Sequence, residues 1–383
     1  TSADEAATAN HVANVLFNIM RGGTFENDYR APRRDLISYL QDQNKLVAAR
    51  HADWLERLPE SLDVGEVLRS GQEQGDPQLE RLLRAYLPLT FSRRHGDPSR
   101  PWNWYTIRVH EGDELVYGYE GNWRDIFQNW EALGISYPGY LPRFVTVFLN
   151  ASTADGYNPY RITRKGIDWE VEDPDDPWSH IGYWGDHQII YLLKLLEAWQ
   201  RHEPGALQAG LGERLYSYAD VPYRIADFAA IVADPKDTIT FDHQRHERLL
   251  QRARELGADG RLVRDASGEV RLVTLAEKLL VPLLVKLSNL VPGSDIWLNT
   301  QRPEWNDANN ALAGWGLSLV TLNAIARYAH FLRDTFAAEG DRLELSAAVA
   351  ALLQTLTDIL GVAELPEDDG QRFELMARLG RAG

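Results

Sequence analysis

The chain has 383 residues, 44% of them hydrophobic and 25% charged, which supplies a globular core and excludes a disordered or collagen-like chain. The net charge is −16, and because an acidic surface repels phosphate backbones, nucleic acid is not expected as a partner. Cysteine is absent, which excludes disulfides and thiolate chemistry, fits a reducing compartment and leads us to expect a cytoplasmic protein. No apolar run approaches the roughly 18 residues of a membrane span, so no membrane partner is expected.

Apolar residues at helical spacing predict helices in the first part of the chain. These helices cover residues 4–20, 34–58 and 80–86. Aromatic and β-branched residues at 104–110 and 114–119, on either side of Glu111-Gly112-Asp113, predict a β-hairpin. Helical patterns return at 123–133 and 140–150.

Residues 151–184 show little periodicity and are rich in Asp, Pro, Gly and Trp, which is typical of a functional segment. Helices are predicted after it at 186–202, 237–256, 275–290, 312–339 and 343–360, and a second hairpin at 260–273. The residues after 360 are polar, and we expect them to be frayed.

This order of elements predicts a mainly α fold with short β-hairpins, and it favours a toroid-like ring of helix pairs. Such a toroid needs about a dozen helices and the patterns give about nine or ten, so we expect an incomplete barrel. We expect residues 1–100 to form an N-terminal helical segment and residues 101–383 a helical-barrel region with the candidate catalytic motifs, both parts of one continuous domain.

Aromatic residues are abundant, with 12 Trp, 16 Tyr and 11 Phe. Many of them fall in residues 102–130 and 137–199. Core filling accounts for most of them. The alternative is a cleft with aromatic platforms, on which the apolar faces of sugar rings stack while polar side chains bind the hydroxyls.

The first candidate motif lies where the first hairpin leads into a helix. Its residues are Trp123, Arg124, Asp125 and Gln128. Arg124 and Gln128 are one helical turn apart, so they can converge with Asp125 on a polar ligand at the helix N-terminus. An ordinary helix cap with a surface ion pair is the alternative.

The second candidate motif closes the irregular segment and opens the strongest predicted helix. It contains Trp184, Asp186 and His187, with Trp178 and Tyr183 nearby. These aromatic residues favour a ligand site. The alternative is that Asp186 only caps the helix and His187 is a structural histidine.

The third candidate motif is Glu304-Trp305-Asn306-Asp307, shortly before an apolar helix. A general acid needs a raised pKa, and burial of a carboxyl group beside Trp305 would supply it. The alternative is an Asx-type cap for the helix predicted from Leu312.

Two further patterns resemble metal sites. Asp173 to Pro177 carries three carboxylates that calcium accepts, although such runs are more often solvated loops. Asp242, His243, His246 and Glu247 have metal-ligand spacing but lack the H-E-x-x-H pattern, and we predict no metal.

The chain also has no G-x-G-x-x-G, P-loop or G-x-S-x-G motif, so nucleotide and serine-hydrolase chemistry have no support.

Taken together, the three motifs resemble the (α/α)6-barrel glycoside-active enzymes, and most closely the cellobiose and chitobiose phosphorylase family, glycoside hydrolase family 94. That family has a W/Y-R-D-x-x-Q motif at a helix start, matched here by Trp123, Arg124, Asp125 and Gln128. The resemblance covers about residues 104–332.

The family also has a T-x-x-G element and a D-D-H-L-W-like helix start. Thr163, Gly166 and Gly185-Asp186-His187 correspond to them, with Gly185 in place of the first Asp. Its D-W-N-D-G motif corresponds to residues 304–308, with Glu304 and Ala308 replacing Asp and Gly. The family's histidine-bearing phosphate loop is not recognisable after Leu332, so hydrolysis and phosphorolysis both stay open.

The resemblance implies an inverting enzyme that cleaves or transfers a glycosidic bond in an oligosaccharide. Asp307 would be the general acid, with Glu304 the next acid to test, and phosphate or base-activated water would attack the anomeric carbon. Inorganic phosphate is the expected co-substrate in phosphorolysis, and no other cofactor is expected. The expected sugar-binding residues are Trp123, Arg124, Asp125, Gln128, Trp184, Asp186, His187, Trp305 and Asn306.

Water as nucleophile would need a base about 6.5–9.5 Å from the acid. Asp125, Asp155, Glu170 and Asp186 are candidates for that base. Two alternatives come from other functional classes. One is a non-catalytic carbohydrate-binding protein, and the other is a structural helical domain of a larger chain.

Overall fold

The fold is described from a computed structural model of the chain. The described residues are 2–90, 110–112, 114–159, 161–169, 171, 188–299, 314–337, 343–362, 364 and 366–383. For a few of them, Arg124 and Asp125 among these, only the backbone is described.

The first part of the chain is a helical module around a small β-ladder. After α1 (Ala3–Gly22), strand β1 (Arg30–Pro32) pairs antiparallel with β2 (Ser61–Asp63). Between the two strands lie α2 (Arg33–Gln43), α3 (Lys45–Arg50) and α4 (Ala52–Arg57), and after them come α5 (Val64–Gln72) and α6 (Pro77–Ala85).

The single helix predicted over residues 34–58 is wrong, because the chain breaks at Asn44 and at His51. Asn44 is extended, with φ −153° and ψ 100°, and its side-chain oxygen accepts hydrogen bonds from the backbone N–H groups of Leu46 and Val47. The amide side chain thus starts a new helix where hydrophobic spacing alone predicted continuity.

A hairpin and a three-stranded sheet precede the central helices. The hairpin joins β3 (His110–Glu111) to β4 (Glu114–Leu115), which confirms the predicted turn, while residues 101–109 lie outside the described residues. The sheet has the order β5 (Glu120–Asn122), β6 (Arg161–Thr163) and β7 (Gly166–Asp168), with antiparallel neighbours.

The central helices are α7 (Trp123–Ser136), α8 (Leu141–Ala151) and α9 (Gln188–His202), which pack on one another, while α1 packs along α7. A short 3-10 turn, Pro138–Tyr140, joins α7 to α8. Trp123, Phe127, Trp130, Phe144 and Phe148 are all buried here and form one aromatic cluster. Burial of each such side chain stabilises the fold by roughly 1.5–3 kcal/mol.

The next part alternates short strands and helices. After α10 (Ala206–Ala209) come β8 (Arg214–Tyr216), β9 (Tyr223–Ile225), α11 (Phe228–Ala233), β10 (Ile239–Phe241) and α12 (His243–Leu256). Strand β9 pairs with β10, so the helix predicted over residues 237–256 begins only at His243, where Asp242 caps it.

A 3-10 turn, Ala258–Arg261, follows α12. The second hairpin is confirmed only at its turn, where Arg264 bridges Val270. The next strand, β11 (Val273–Thr274), does not continue the hairpin. It pairs with β8 instead, because packing in the core places β8 beside β11.

The last helices are α13 (Leu275–Leu287), α14 (Leu319–Ala337), α15 (Ala347–Gly361) and α16 (Asp369–Ala382), with the ribbon β12 (Ile296–Trp297) and β13 (Leu317–Ser318) before α14. The expectation of a frayed end is wrong, since Asp368 caps α16 and Ala377 and Leu379 are buried.

The described chain is mainly helical, as predicted. Whether its helices close a toroid stays a prediction. In the described residues, no helix combines the length and apolar character that crossing a membrane requires.

Candidate functional site

The first predicted motif starts a helix, as expected. α7 begins at Trp123, directly after β5, so Arg124 and Asp125 occupy its first turn, although their side chains are not described. The Trp123 ring is 2% exposed and packs 5.0 Å from Phe127 and 4.4 Å from Phe148, measured between ring centroids. Trp123 therefore anchors the start of α7 in the core. Gln128 is exposed on α7.

The other predicted site residues lie outside the described residues. They are Trp184, Asp186, His187, Glu304, Trp305, Asn306 and Asp307, together with the base candidate Glu170 and the acidic run from Asp173 to Pro177. α9 starts at Gln188, directly after the second motif. The expectation that the three motifs share one cleft stays a prediction.

Charged side chains cover the sheet that leads into α7. Arg161 on β6 bonds Glu120 on β5 at 2.9 Å and Asp168 on β7 through its Nε at 3.0 Å. Arg261 pairs with Asp168 from the other side. Burial raises the pKa of Asp168, but the two arginines outweigh burial and lower it, so Asp168 is a carboxylate at neutral pH.

A tryptophan–histidine pair lies beside this network. The Trp169 Nε1–H donates to Nδ1 of His246 at 3.0 Å, and the guanidinium of Arg261 lies 5.2 Å from the Trp169 ring centroid. Because Nδ1 accepts this hydrogen bond, the neutral imidazole carries its proton on Nε2. Desolvation lowers the pKa of His246 from 6.5, although Glu247 opposes the shift.

We expect the neutral form of His246 to make stability depend on pH. Between its lowered pKa and 6.5, the unfolded chain binds more protons than the folded chain, so stability rises with pH in that window and is constant above it. NMR titration of the imidazole C–H signal, assigned by its loss in His246→Gln, measures the pKa directly. Trp169→Phe should move the pKa back toward its usual value, and a pKa at or above 6.5 in the unmodified protein would contradict this account.

Sequence patterns did not single out the network or this pair. The signal was present in Arg161-Ile162-Thr163-Arg164-Lys165-Gly166-Ile167-Asp168, where two short alternating segments flank a Lys-Gly turn. Gly166 adopts φ +113°, which favours glycine, and an added Cβ would lie 2.8 Å from that of Ala258. Thr163 and Gly166, which correspond to the T-x-x-G element, therefore form the turn of this hairpin.

Asp155 is the candidate base whose side chain the structure describes. Its loop is held by hydrogen bonds from the Tyr157 N–H to Thr153 Oγ1 at 3.0 Å and from the buried Lys278 Nζ to the Ser152 carbonyl at 3.2 Å. Asp155 itself is exposed on this loop, where neighbouring atoms raise the pKa of its carboxyl group and Arg245 opposes the shift. An exposed carboxylate on a fixed loop is accessible to water and can accept its proton.

Two of the candidate metal ligands, Asp242 just before α12 and His246 on it, have other partners. Asp242 accepts from the Arg245 N–H at 2.9 Å as the helix cap and pairs with Arg224 at 2.6 Å, while Nδ1 of His246 is bonded to Trp169. Across the described part of the chain, no three His, Asp or Glu side chains are grouped so as to hold a metal ion.

A cavity of about 70 Å³ lies behind the sheet, against the N-terminal module. Its lining includes Tyr39, Gln43, Arg81, Asn150, Thr163 and Asp259. The buried Arg81 and Asp259 form an ion pair, and the Asn44 Nδ2 donates to the same Asp259 oxygen at 2.7 Å. Arg81 Nε and Asn150 Nδ2 have no partner among the described residues, and the cavity has room for a few waters that would satisfy them.

A second buried ion pair ties the N-terminal module to the sheet. Arg164, in the β6–β7 turn, lies 2.8 Å from Asp35 on α2, and the Tyr86 hydroxyl donates to Asp35 at 2.6 Å. Arg143 on α8 donates to the carbonyls of Val64 at 2.8 Å and Tyr86 at 3.2 Å. The module is thus an integral part of the fold.

Residues 25–88, which form most of this module, match the sequence model of "Glycoside hydrolase family 149 insertion domain 1". The match is to family 149, not to family 94. It supports a relationship to glycoside hydrolases, and because it covers only an insertion domain it leaves the reaction open. No curated protein sequence matches the chain.

Proposed function

We propose that the chain acts on carbohydrate, cleaving or transferring a glycosidic bond of an oligosaccharide with inversion, by hydrolysis or phosphorolysis. The attachment of the family-matched module supports this proposal. Through Asp35 and Gln43, the module binds Arg164 in the hairpin that resembles the T-x-x-G element of family 94. Two independent resemblances to glycoside-active enzymes thus meet at one turn.

In the proposed reaction, Asp307 protonates the glycosidic oxygen, because an alkoxide is otherwise a poor leaving group. Phosphate or water attacks the anomeric carbon from the opposite face, which inverts it. Arg124 and Asp125 hold hydroxyl groups of the sugar. If water is the nucleophile, Asp155 is the base that we favour, because its carboxylate is exposed on a loop that hydrogen bonds hold in place.

The finer parts of this proposal extend the family 94 resemblance. They are an incomplete (α/α)6-barrel and a substrate cleft shared by the three motifs. The remaining sugar-binding residues would be Gln128, Trp184, Asp186, His187, Trp305 and Asn306, with Glu304 as a second acid.

Asp307→Asn is expected to lower turnover by about 10²–10⁴-fold while sugar binding survives, because the amide keeps the shape of the acid but cannot donate its proton. The assay uses a panel of oligosaccharides with and without inorganic phosphate, and measures released sugar and sugar 1-phosphate. Calorimetry on the same variant measures binding. Asp265→Asn, in an exposed turn, is the matched control and should keep wild-type turnover.

The outcomes separate the alternatives. Wild-type turnover by Asp307→Asn on a confirmed substrate would reject the acid assignment and make Glu304 the next residue to test. Binding of sugar without release of product by the unmodified chain would indicate a non-catalytic carbohydrate-binding protein. Neither binding nor turnover would indicate a structural helical domain.

A further inference from the structure

A short β-ribbon presents a tryptophan that the motifs did not include. In β12 and β13, Trp297 pairs with Leu317 and Ile296 with Ser318. The Leu298 N–H donates to the Gly316 carbonyl at 2.9 Å, and the Gly314 N–H donates to the Leu298 carbonyl at 2.6 Å. The Trp297 indole N–H also reaches the Gly314 carbonyl, at 3.4 Å. The backbone on each side of Trp315 is therefore fixed.

The side chain of Trp315 lies at the surface. It is 70% exposed, whereas Gly314 and Gly316 on either side of it are buried. Gly314 has φ +76°, and its Cα lies so close to the Pro235 carbonyl that an added Cβ would be 2.3 Å from that oxygen. Because Gly314 and Gly316 have no side chains, neither of these two neighbours covers the indole faces.

We propose that Trp315 is a stacking platform for a pyranose ring of an extended oligosaccharide, in a subsite away from the cleaved bond. An exposed indole matches the apolar C–H face of a sugar, and because the ribbon already fixes the backbone on each side, binding has to order only the two side-chain torsions of Trp315. This inference rests on the proposed function for its ligand class. It adds a substrate preference: longer oligosaccharides bind more tightly than short ones.

The position of Trp315 in the chain is compatible with a subsite away from the cleaved bond. Trp315 lies eight positions after Asp307, and a chain of that length spans at most about 28 Å between Cα atoms. An oligosaccharide of several sugar units can bridge that distance. The platform is thus within reach of a substrate held at the proposed acid.

Other exposed apolar residues provide the contrast for a test. Leu317, Leu319 and Val320 are 41%, 59% and 65% exposed beside Trp315. A protein partner docked on this patch would contact the aliphatic residues as well as the indole. A sugar ring stacks on the indole alone, so the aliphatic residues should not affect its binding.

The test compares Trp315→Ala with Trp315→Tyr and Leu319→Ala, using gluco-oligosaccharide ladders from the disaccharide to the hexasaccharide. For Trp315→Ala we expect KM to rise about tenfold on the longer members, with kcat unchanged and the shortest cleaved member unaffected. Trp315→Tyr should keep part of the affinity, and Leu319→Ala should match the wild type.

Affinity electrophoresis in gels containing soluble glucans measures binding without turnover, so a failure of this inference can be told from a failure of the proposed function. If the wild type cleaves no ladder but its retardation by glucan is lost in Trp315→Ala, the platform stands and the enzymatic proposal fails. If Trp315→Ala has equal effects at all chain lengths, or none, the platform is rejected. If Leu319→Ala has the same effect as Trp315→Ala, the patch is a protein contact and the inference is overturned.

Discussion

Asp259→Ala is expected to lower the free energy of unfolding by about 3–5 kcal/mol, because it leaves the buried guanidinium of Arg81 without its counter-charge. Both side chains are almost completely buried, with 1% of Asp259 and 3% of Arg81 exposed. Asn44 loses a partner at the same time, since its Nδ2 donates to the same carboxylate. Urea denaturation followed by circular dichroism measures the change.

Glu269→Ala is the matched control for this variant. Glu269 also joins the N-terminal module to the chain after α12, through Arg50 at 2.8 Å, but its side chain is 37% exposed and that of Arg50 44%. Because solvent screens this pair, we expect a loss below about 1 kcal/mol. The double variant Arg81→Met, Asp259→Leu removes both charges and should recover much of the stability lost in Asp259→Ala. Equal losses in Asp259→Ala and Glu269→Ala would contradict the assigned role of the buried pair.

Gly257→Ala is expected to cost about 3–5 kcal/mol, through backbone strain and collision together. Gly257 ends α12 with φ 99° and ψ −166°, a conformation essentially restricted to glycine. A Cβ there would lie 2.6 Å from the carbonyl oxygen of Asp42 and 2.8 Å from that of Gln43. Both oxygens belong to the backbone at the end of α2, so relief would require the two helices to move apart. The urea midpoint of the purified variant is the measurement.

Gly268→Ala separates the collision from the strain. Gly268 also has a positive φ, +84°, but a Cβ there would meet nothing within 4 Å. Its substitution should cost about 1–2 kcal/mol, from the left-handed conformation alone. If Gly257→Ala cost no more than Gly268→Ala, the close approach of α12 to α2 would not be a constraint on the fold.

Asp259 and Gly257 both lie on the contact between the family-matched module and the α12 region, and this contact also borders the cavity behind the sheet. The module and the hairpin that carries Thr163 and Gly166 should therefore unfold together. Disturbing the contact is expected to affect the sheet that leads into α7. The Asp259 and Gly257 variants therefore also test whether this contact stabilises the sheet beside the proposed site.

Features that depend on neighbours along the chain could be predicted from the amino-acid sequence. Hydrophobic spacing predicted the mainly helical fold, because a helix buries one face through residues three and four apart. The polar motif at residues 123–128 predicted the start of α7, and Glu111-Gly112-Asp113 predicted the hairpin turn. The break at Asn44 was also local, but hydrophobic periodicity outweighed a cap signal that was present in the sequence.

Contacts between residues far apart in the chain could not be predicted in this way, because they depend on how the whole chain packs. Arg81 and Asp259 are 178 residues apart, and Trp169 and His246 are 77 apart, so no spacing rule connects either pair. Likewise, the sequence indicates only that Gly257 can end a helix. The steric constraint on Gly257 comes from the carbonyl groups of Asp42 and Gln43, which the fold places beside it. Such contacts follow from packing the module against α12, because a buried charge, a buried indole N–H and a crowded backbone each need a partner or a space that the rest of the fold supplies.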